Sequence, residues 1–278
     1  MKLELTRRGL FGASAAVAAA LPNLGRLAYG AEEHGLKLGV ATYSLRKFSR
    51  PEAIEIMKQL QVHYVSVKSY HLPYESTAEQ LHAAMGEFKA AGMTVLSAGN
   101  NAMAKDDDAD LRSFFEYAKN ASIPMLVIAP SHETMPKIEK LVKEYNIRVA
   151  VHPHGPEDKH YPSPESVMAD IKGMDPRVGL CLDIGHAARA GSDIVAAARA
   201  AGSRLLDLHV KDLADLSSAK SQCDVGEGKL PFPALFRQLK KMNYTGGVML
   251  EYEINESAPQ VGMAKSLSYM RGVAAALA

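Results

Sequence analysis

Four short stretches of the chain set ionisable or soft side chains at every second position of an otherwise apolar run. Leu206, Leu208 and Val210 alternate with Asp207, His209 and Lys211, and Leu180, Leu182 and Ile184 alternate with Cys181 and Asp183. Val248, Leu250 and Tyr252 alternate with Met249, Glu251 and Glu253, and Val149 and Val151 with Ala150, His152 and His154. A β-strand sends successive side chains to opposite faces, so each stretch has one apolar and one polar face. In a closed barrel the apolar sets meet surrounding helices and the polar sets line the interior. His152, Asp183, His209 and Glu251 then reach one end of one enclosure, where barrel enzymes keep their chemistry. An ionised carboxylate out of water is costly unless paired or metal-bound. Two imidazoles with two carboxylates form a ligand set for a divalent ion such as zinc, manganese or cobalt. The competing reading needs no ion: Asp183 and Glu251 pair with Lys211 and Lys68. We favour the metal.

The elements that must deliver these residues are legible as alternating short β-rich runs and longer helical patterns, the mark of βα units with a parallel sheet. Strands are predicted over 36–45, 62–69, 94–99, 125–130, 148–154, 179–186, 205–212 and 247–254. Helices are predicted over 51–60, 77–91, 109–121, 135–145, 164–173, 193–201, 233–242 and 263–276. Ser163 before Pro164, and Ser49 shortly before Pro51, give helix starts, and Gly92, Gly173 and Gly202 stand where helices stop. Eight evenly spaced pairs favour a single-domain (β/α)8 TIM barrel over an open sheet. About 250 residues is the usual size of that fold. The longest irregular piece, 214–231, is expected to be an active-site loop. Two cysteines, Cys181 and Cys223, make no disulfide framework, and Cys181 is expected in the core.

Residues 1–30 differ from the rest. Thr6-Arg7-Arg8-Gly9-Leu10-Phe11 precedes an Ala-rich run to Leu21, which reads as a twin-arginine export signal. Residues 31–278 are then the barrel, working in the periplasm. The apolar run is short for a bilayer span of about 20 residues. Removing the segment takes away Lys2, Arg7, Arg8 and Arg26 against Glu4, so the net charge falls from +1 to −2. A near-neutral surface argues against nucleic-acid binding through phosphate neutralisation. With no Trp and 6% aromatic residues, a non-catalytic barrel that holds sugars by stacking alone is disfavoured.

The stretches 179–186 (GLCLDIGH), 207–212 (DLHVKD), 225–228 (VGEG) and Leu250-Glu251 resemble the sugar phosphate isomerase/epimerase family of xylose isomerase-like barrels, in its twin-arginine-exported branch. The resemblance covers essentially all of 31–278. It implies a metal, usually manganese, zinc, magnesium or cobalt, held by Glu, Asp, His and Glu from successive strands. Asp183, His209 and Glu251 match the last three, while His152 stands where many members carry the first Glu. That change removes one of the two glutamates that family epimerases use as paired acid and base. His154 or Glu157 is the substitute ligand if His152 binds substrate instead.

By the same resemblance Glu251 is the expected base, with Lys211 and His152 completing the catalytic set. His186, Lys68, His71, His154 and Glu227 are expected to touch substrate, Glu227 from a loop flanked by glycines. The expected function is isomerisation or epimerisation of a free or keto-sugar by proton abstraction next to a carbonyl. A 3-keto-glycoside lyase or hydratase is the alternative, and a phosphodiesterase of the endonuclease-like branch is disfavoured. No Gly-rich cradle follows the last two strands, so no phosphate site is expected.

Overall fold

The apolar faces predicted by the alternation are satisfied by closing the sheet on itself inside a ring of helices. The computed structural model describes residues 34–278, and the Arg7-Arg8 signal lies outside them. Its barrel strands are β1 (Lys37–Ala41), β2 (Tyr64–Val67), β3 (Thr94–Met103), β4 (Met125–Pro130), β5 (Arg148–Val151), β6 (Val178–Asp183), β7 (Leu205–Val210) and β8 (Gly247–Leu250). All neighbours pair in parallel, and β1 meets β8 to close the barrel. Helices α1 (Arg50–Gln59), α2 (Ala78–Ala90), α3 (Asp108–Asn120), α4 (Met135–Tyr145) and α5 (Pro164–Asp170) follow the first five strands. After β6 come α6 (Ile184–Arg189) and α7 (Ile194–Ala201), after β7 comes α8 (Phe232–Lys241), and α9 (Gln260–Ala276) ends the ring. No helix among the described residues is long and apolar enough to cross a membrane.

The core is two regions divided by the sheet. Outward residues such as Val149, Leu180, Leu208 and Val248 pack with Leu111, Phe115, Phe236 and Leu267 of the helices. Inward, Met125, Val127, Ala150, Cys181 and Leu206 form a separate apolar plug. Cys181 is therefore core, and both cysteines are free thiols. Burial pushes the Cys181 thiol up to about 12, which keeps it protonated and inert.

Leu206 corrects one expectation, since the alternation assigned it to the helix side. The pairing of β6 with β7 shifts between Leu180 and Cys181, so Leu205 faces Leu180 while Asp207 faces Cys181. The extra residue, Leu206, turns into the barrel. Gly179 leaves the room, because a Cβ there would lie 2.5 Å from Leu206 Cγ.

Strand ends also differ from expectation, each for a local reason. β1 stops at Ala41 and a short 3-10 turn, Thr42–Leu45, follows. Its hydroxyls stitch the neighbours: Thr42 Oγ1 accepts from Lys68 N at 2.8 Å, and Ser44 Oγ accepts from Tyr252 N at 2.8 Å. β6 ends at Asp183, whose carboxylate accepts from His186 N at 2.8 Å and caps α6. The run predicted as strand to His186 is therefore half helix. β3 extends four residues beyond the predicted Gly99, to Met103.

The predicted irregular stretch after β7 is braced rather than loose. Asp212–Leu213 pairs antiparallel with Gln222–Cys223. The buried Asp212 carboxylate accepts from the backbone amides of Gly226, Gly228 and Leu230 at 3.0, 3.0 and 3.1 Å.

Candidate active site

The four residues singled out by alternation converge at the C-terminal mouth. His152 follows β5 and continues its ladder, donating from its backbone amide to Ile128 O at 2.9 Å. Asp183 closes β6 and sits opposite His209 of β7. Glu251 follows β8, its amide donating to Val210 O at 2.8 Å. Ligand atoms of all four lie within 4.8 Å of one another, and all four side chains are buried. His152 Nε2 is 3.6 Å from Asp183 Oδ2, and His209 Nδ1 is 3.5 Å from Glu251 Oε2. These separations exceed a good hydrogen bond. They match donors sharing a tetrahedral ion, which bonds of about 2.1 Å place roughly 3.4 Å apart.

Unsatisfied atoms favour the same reading. Both ring nitrogens of His152, both of His209, and Asp183 Oδ2 are buried without a hydrogen-bond partner. Such groups are rare in folded proteins and call for a specific explanation. A divalent ion held by two imidazoles and two carboxylates would satisfy Asp183 Oδ2 and one nitrogen of each ring together, and the nitrogen share favours zinc, manganese or cobalt over magnesium. Glu157, the alternative ligand, points away and pairs with Arg189 at the exposed rim.

Lys211 sits beneath the acids. Its Nζ is 3.1 Å from Asp183 Oδ2, 2.9 Å from Glu251 Oε2 and 2.7 Å from Glu253 Oε1. The contact with Asp183 has ion-pair distance but not hydrogen-bond alignment, which leaves that oxygen available. Half of the electrostatic alternative thus holds, because Lys211 does pair with both carboxylates. Lys68 does not: its Nζ donates to Asn100 O. Burial alone would raise the Glu251 carboxyl, but Lys211 and then His209 outweigh it and hold the group well below the usual carboxylate range. Asp183 is held low against burial chiefly by Lys211. The lysine stem crosses Gly185, where a Cβ would lie 2.5 Å from its Cγ, so only glycine admits it.

Above the cluster opens a cavity of about 440 Å³, within the range of small-molecule sites. Of the predicted substrate residues, Lys68, His154 and His186 line it, together with His152 and Glu251. His71 does not: it is buried, with its ring Nε2 3.2 Å from Phe48 O behind the strand ends. Glu227 does not either; its exposed carboxylate lies 3.8 Å from Lys265. Lys211 is covered by its three acids rather than lining the cavity. Sequence reasoning missed Tyr43 and Asn100 and gave Glu253 no role, yet all three face the cavity. Asn100 Nδ2 contacts His154 Nε2 at 2.8 Å, which makes that ring nitrogen an acceptor. Burial, then the neighbouring His152, lowers the pKa of His154 and keeps its imidazole neutral.

Residues 52–273 match the family model for xylose isomerase-like TIM barrels, and the chain belongs to that family. Among solved structures it resembles an uncharacterised protein from Parabacteroides distasonis, at 24% identity and a TM-score of 0.68, over 86% of this chain and 99% of that one. It resembles the zinc-bound IolI protein at 14% identity and a TM-score of 0.74, over 87% and 99%. It resembles 3-keto-D-glucoside 4-epimerase from E. coli at 16% identity and a TM-score of 0.70, over 85% and 99%. Likeness at these identities speaks for the fold. No curated protein matches the chain.

Proposed function

We propose that the protein is a metal-dependent enzyme that moves a proton at the carbon beside the carbonyl of a keto-sugar, giving an isomer or epimer. One observation carries the reading: the buried His152, Asp183, His209 and Glu251 cluster opens, through Glu251, into a cavity lined by further polar side chains. The zinc of the IolI structure and the sugar named for the E. coli epimerase support it. A divalent ion held there supplies Lewis-acid polarisation of a carbonyl and its neighbouring hydroxyl, acidifying the hydrogen between them.

The remaining work belongs to side chains. Glu251 is kept ionised by Lys211 and His209, so it is ready to take the proton. Glu251, protonated by that step, returns the proton to the substrate, while His154, a neutral imidazole lining the same cavity, orients a substrate hydroxyl. Lys68 and His186 hold substrate oxygens. A second reading is favoured by His152 standing where two-glutamate chemistry needs a carboxylate. In it Glu251 removes the proton next to the keto group of a 3-keto-glycoside. The carbon–oxygen bond to the aglycone then breaks, and the departing oxygen takes a proton. We assign residues 1–30 to export, on Arg7-Arg8 before the Ala-rich run, and the enzyme to the periplasm.

The test is twofold. His209→Ala should lower bound metal at least about tenfold while keeping the far-UV spectrum. Metal-loaded protein should then catalyse uptake of solvent deuterium into a responsive keto-sugar or keto-glycoside. Full metal content in the variant, or no uptake across a panel of both substrate types, overturns the proposal.

A further inference from the structure

The wall of the mouth is uneven, and its unevenness builds a second chamber. β3 runs ten residues to Met103; Asn100 and Ala102 share its mouth-facing side at the strand's two-residue period, and Ala104 follows just past its end. Asn100 faces the cavity over the metal cluster. Ala104 faces a neighbouring cavity of about 450 Å³, and Ala102, Ala129 and His154 border both. The two spaces are therefore joined over a low sill of two methyl groups and one imidazole. The outer space is the shallower and more open of the two, a groove on the rim rather than an enclosed pocket, so a single sugar ring over the cluster leaves it free for a second ring.

The outer chamber has the chemistry of a saccharide surface. Its floor is Ala102, Ala104, Ala129 and Pro130, short side chains that leave a smooth apolar face against which one side of a pyranose can lie. Lys159 adds an ammonium and His160 an imidazole to its lining, groups that hydrogen-bond sugar hydroxyls. That stretch is fixed. Asp158 Oδ1 accepts from the amides of His160 and Tyr161 at 2.9 and 3.1 Å, and Glu157 pairs with Arg189. Tyr161 is fully buried and donates to Asp170.

We infer that the protein takes a two-ring glycoside, its keto-bearing ring over the metal cluster and its second sugar ring in the chamber between Ala104 and Lys159. The inference rests on the keto-sugar reading for the inner ring only. His154 stands at the junction, where the bond linking the two rings crosses the sill.

Calorimetric binding of methyl β-glucoside and of cellobiose to the zinc-loaded protein tests the chamber without turnover. Cellobiose should bind at least about tenfold tighter. Ala104→Trp, at an exposed position just past the end of β3, fills the outer chamber and should abolish that advantage while leaving methyl glucoside within about twofold. Lys159→Ala, on the exposed rim, should weaken cellobiose about threefold and leave methyl glucoside unchanged. Equal affinity for the two sugars in the wild type overturns the inference, as does an equal loss for both sugars in Lys159→Ala. The paired 3-keto derivatives then separate the two ideas. Cellobiose selectivity with no deuterium exchange keeps the chamber and overturns the keto-sugar reading. Exchange with no selectivity does the reverse.

Discussion

Glu251 has two neighbours with opposite demands. It completes the buried cluster with His209, and it also faces the cavity where substrate would lie. A carboxylate that only ligates should affect metal content and turnover together, whereas a base should be far more damaging to turnover. Glu251→Gln is expected to retain most of the metal and to lose at least about a hundredfold in deuterium exchange, the usual scale for removing a general base. Near-normal exchange in the metal-loaded variant would move the base to His154. The convergence of His152, Asp183, His209 and Glu251 was legible from alternation alone, because burial on one face of a strand leaves a charged residue only one direction. Asn100 was not legible. A neutral amide carries no periodic signal, and its place depends on β3 overrunning its predicted end.

At the scale of elements, the braced stretch after β7 positions the catalytic end of β8. Gln222 Nε2 donates to Glu251 O at 2.8 Å, and its Oε1 accepts from Glu253 N at 3.0 Å, so the ribbon clamps the backbone on both sides of Tyr252. The ribbon is in turn held by Asp212. Asp212→Ala leaves the amides of Leu213, Gly226, Gly228 and Leu230 without their acceptor and is expected to cost about 3 kcal/mol, or roughly 10 °C in Tm for a chain of this size. Hydrogen exchange should speed at Gly226 and Gly228 first, and unchanged protection there would mean that the ribbon is held otherwise. This anchoring also explains why Glu227 departs from expectation. The amides of its flanking glycines turn inward to Asp212, and its side chain is left outside. His71 fails for a similar reason, since a turn from its amide to Lys68 O carries the ring behind the strand ends. The type and order of the eight barrel strands, and of every helix of the ring except α6, followed from periodicity. The ends did not, because Thr42 and Ser44 redirect the backbone through contacts distant in sequence and Asp183 caps a helix that the strand pattern hid. Leu206 shows the cost of a single inserted residue, which moves a side chain to the opposite face.

For the whole molecule, the Arg7-Arg8 pair makes export testable on its own. Residues 1–31 fused to a folded reporter should carry it to the periplasm, and Arg7→Lys with Arg8→Lys should stop it; unchanged export in the double variant would end that assignment. A different consequence follows from Lys211, fixed between Asp183, Glu251 and Glu253. Two buried acids with no cation would oppose closure of the barrel by several kcal/mol, and an ion would then be needed for the chain to fold. The lysine supplies that positive charge from within the sequence. Wild-type protein in excess chelator should keep its native far-UV spectrum, whereas Lys211→Met should lose about 3–5 kcal/mol there and regain much of it on adding zinc. A wild type that unfolds in chelator would contradict this. The barrel carries its own placeholder, so assembly would be separable from loading: the chain completes its architecture first, and the proposed ion would enter a finished vessel.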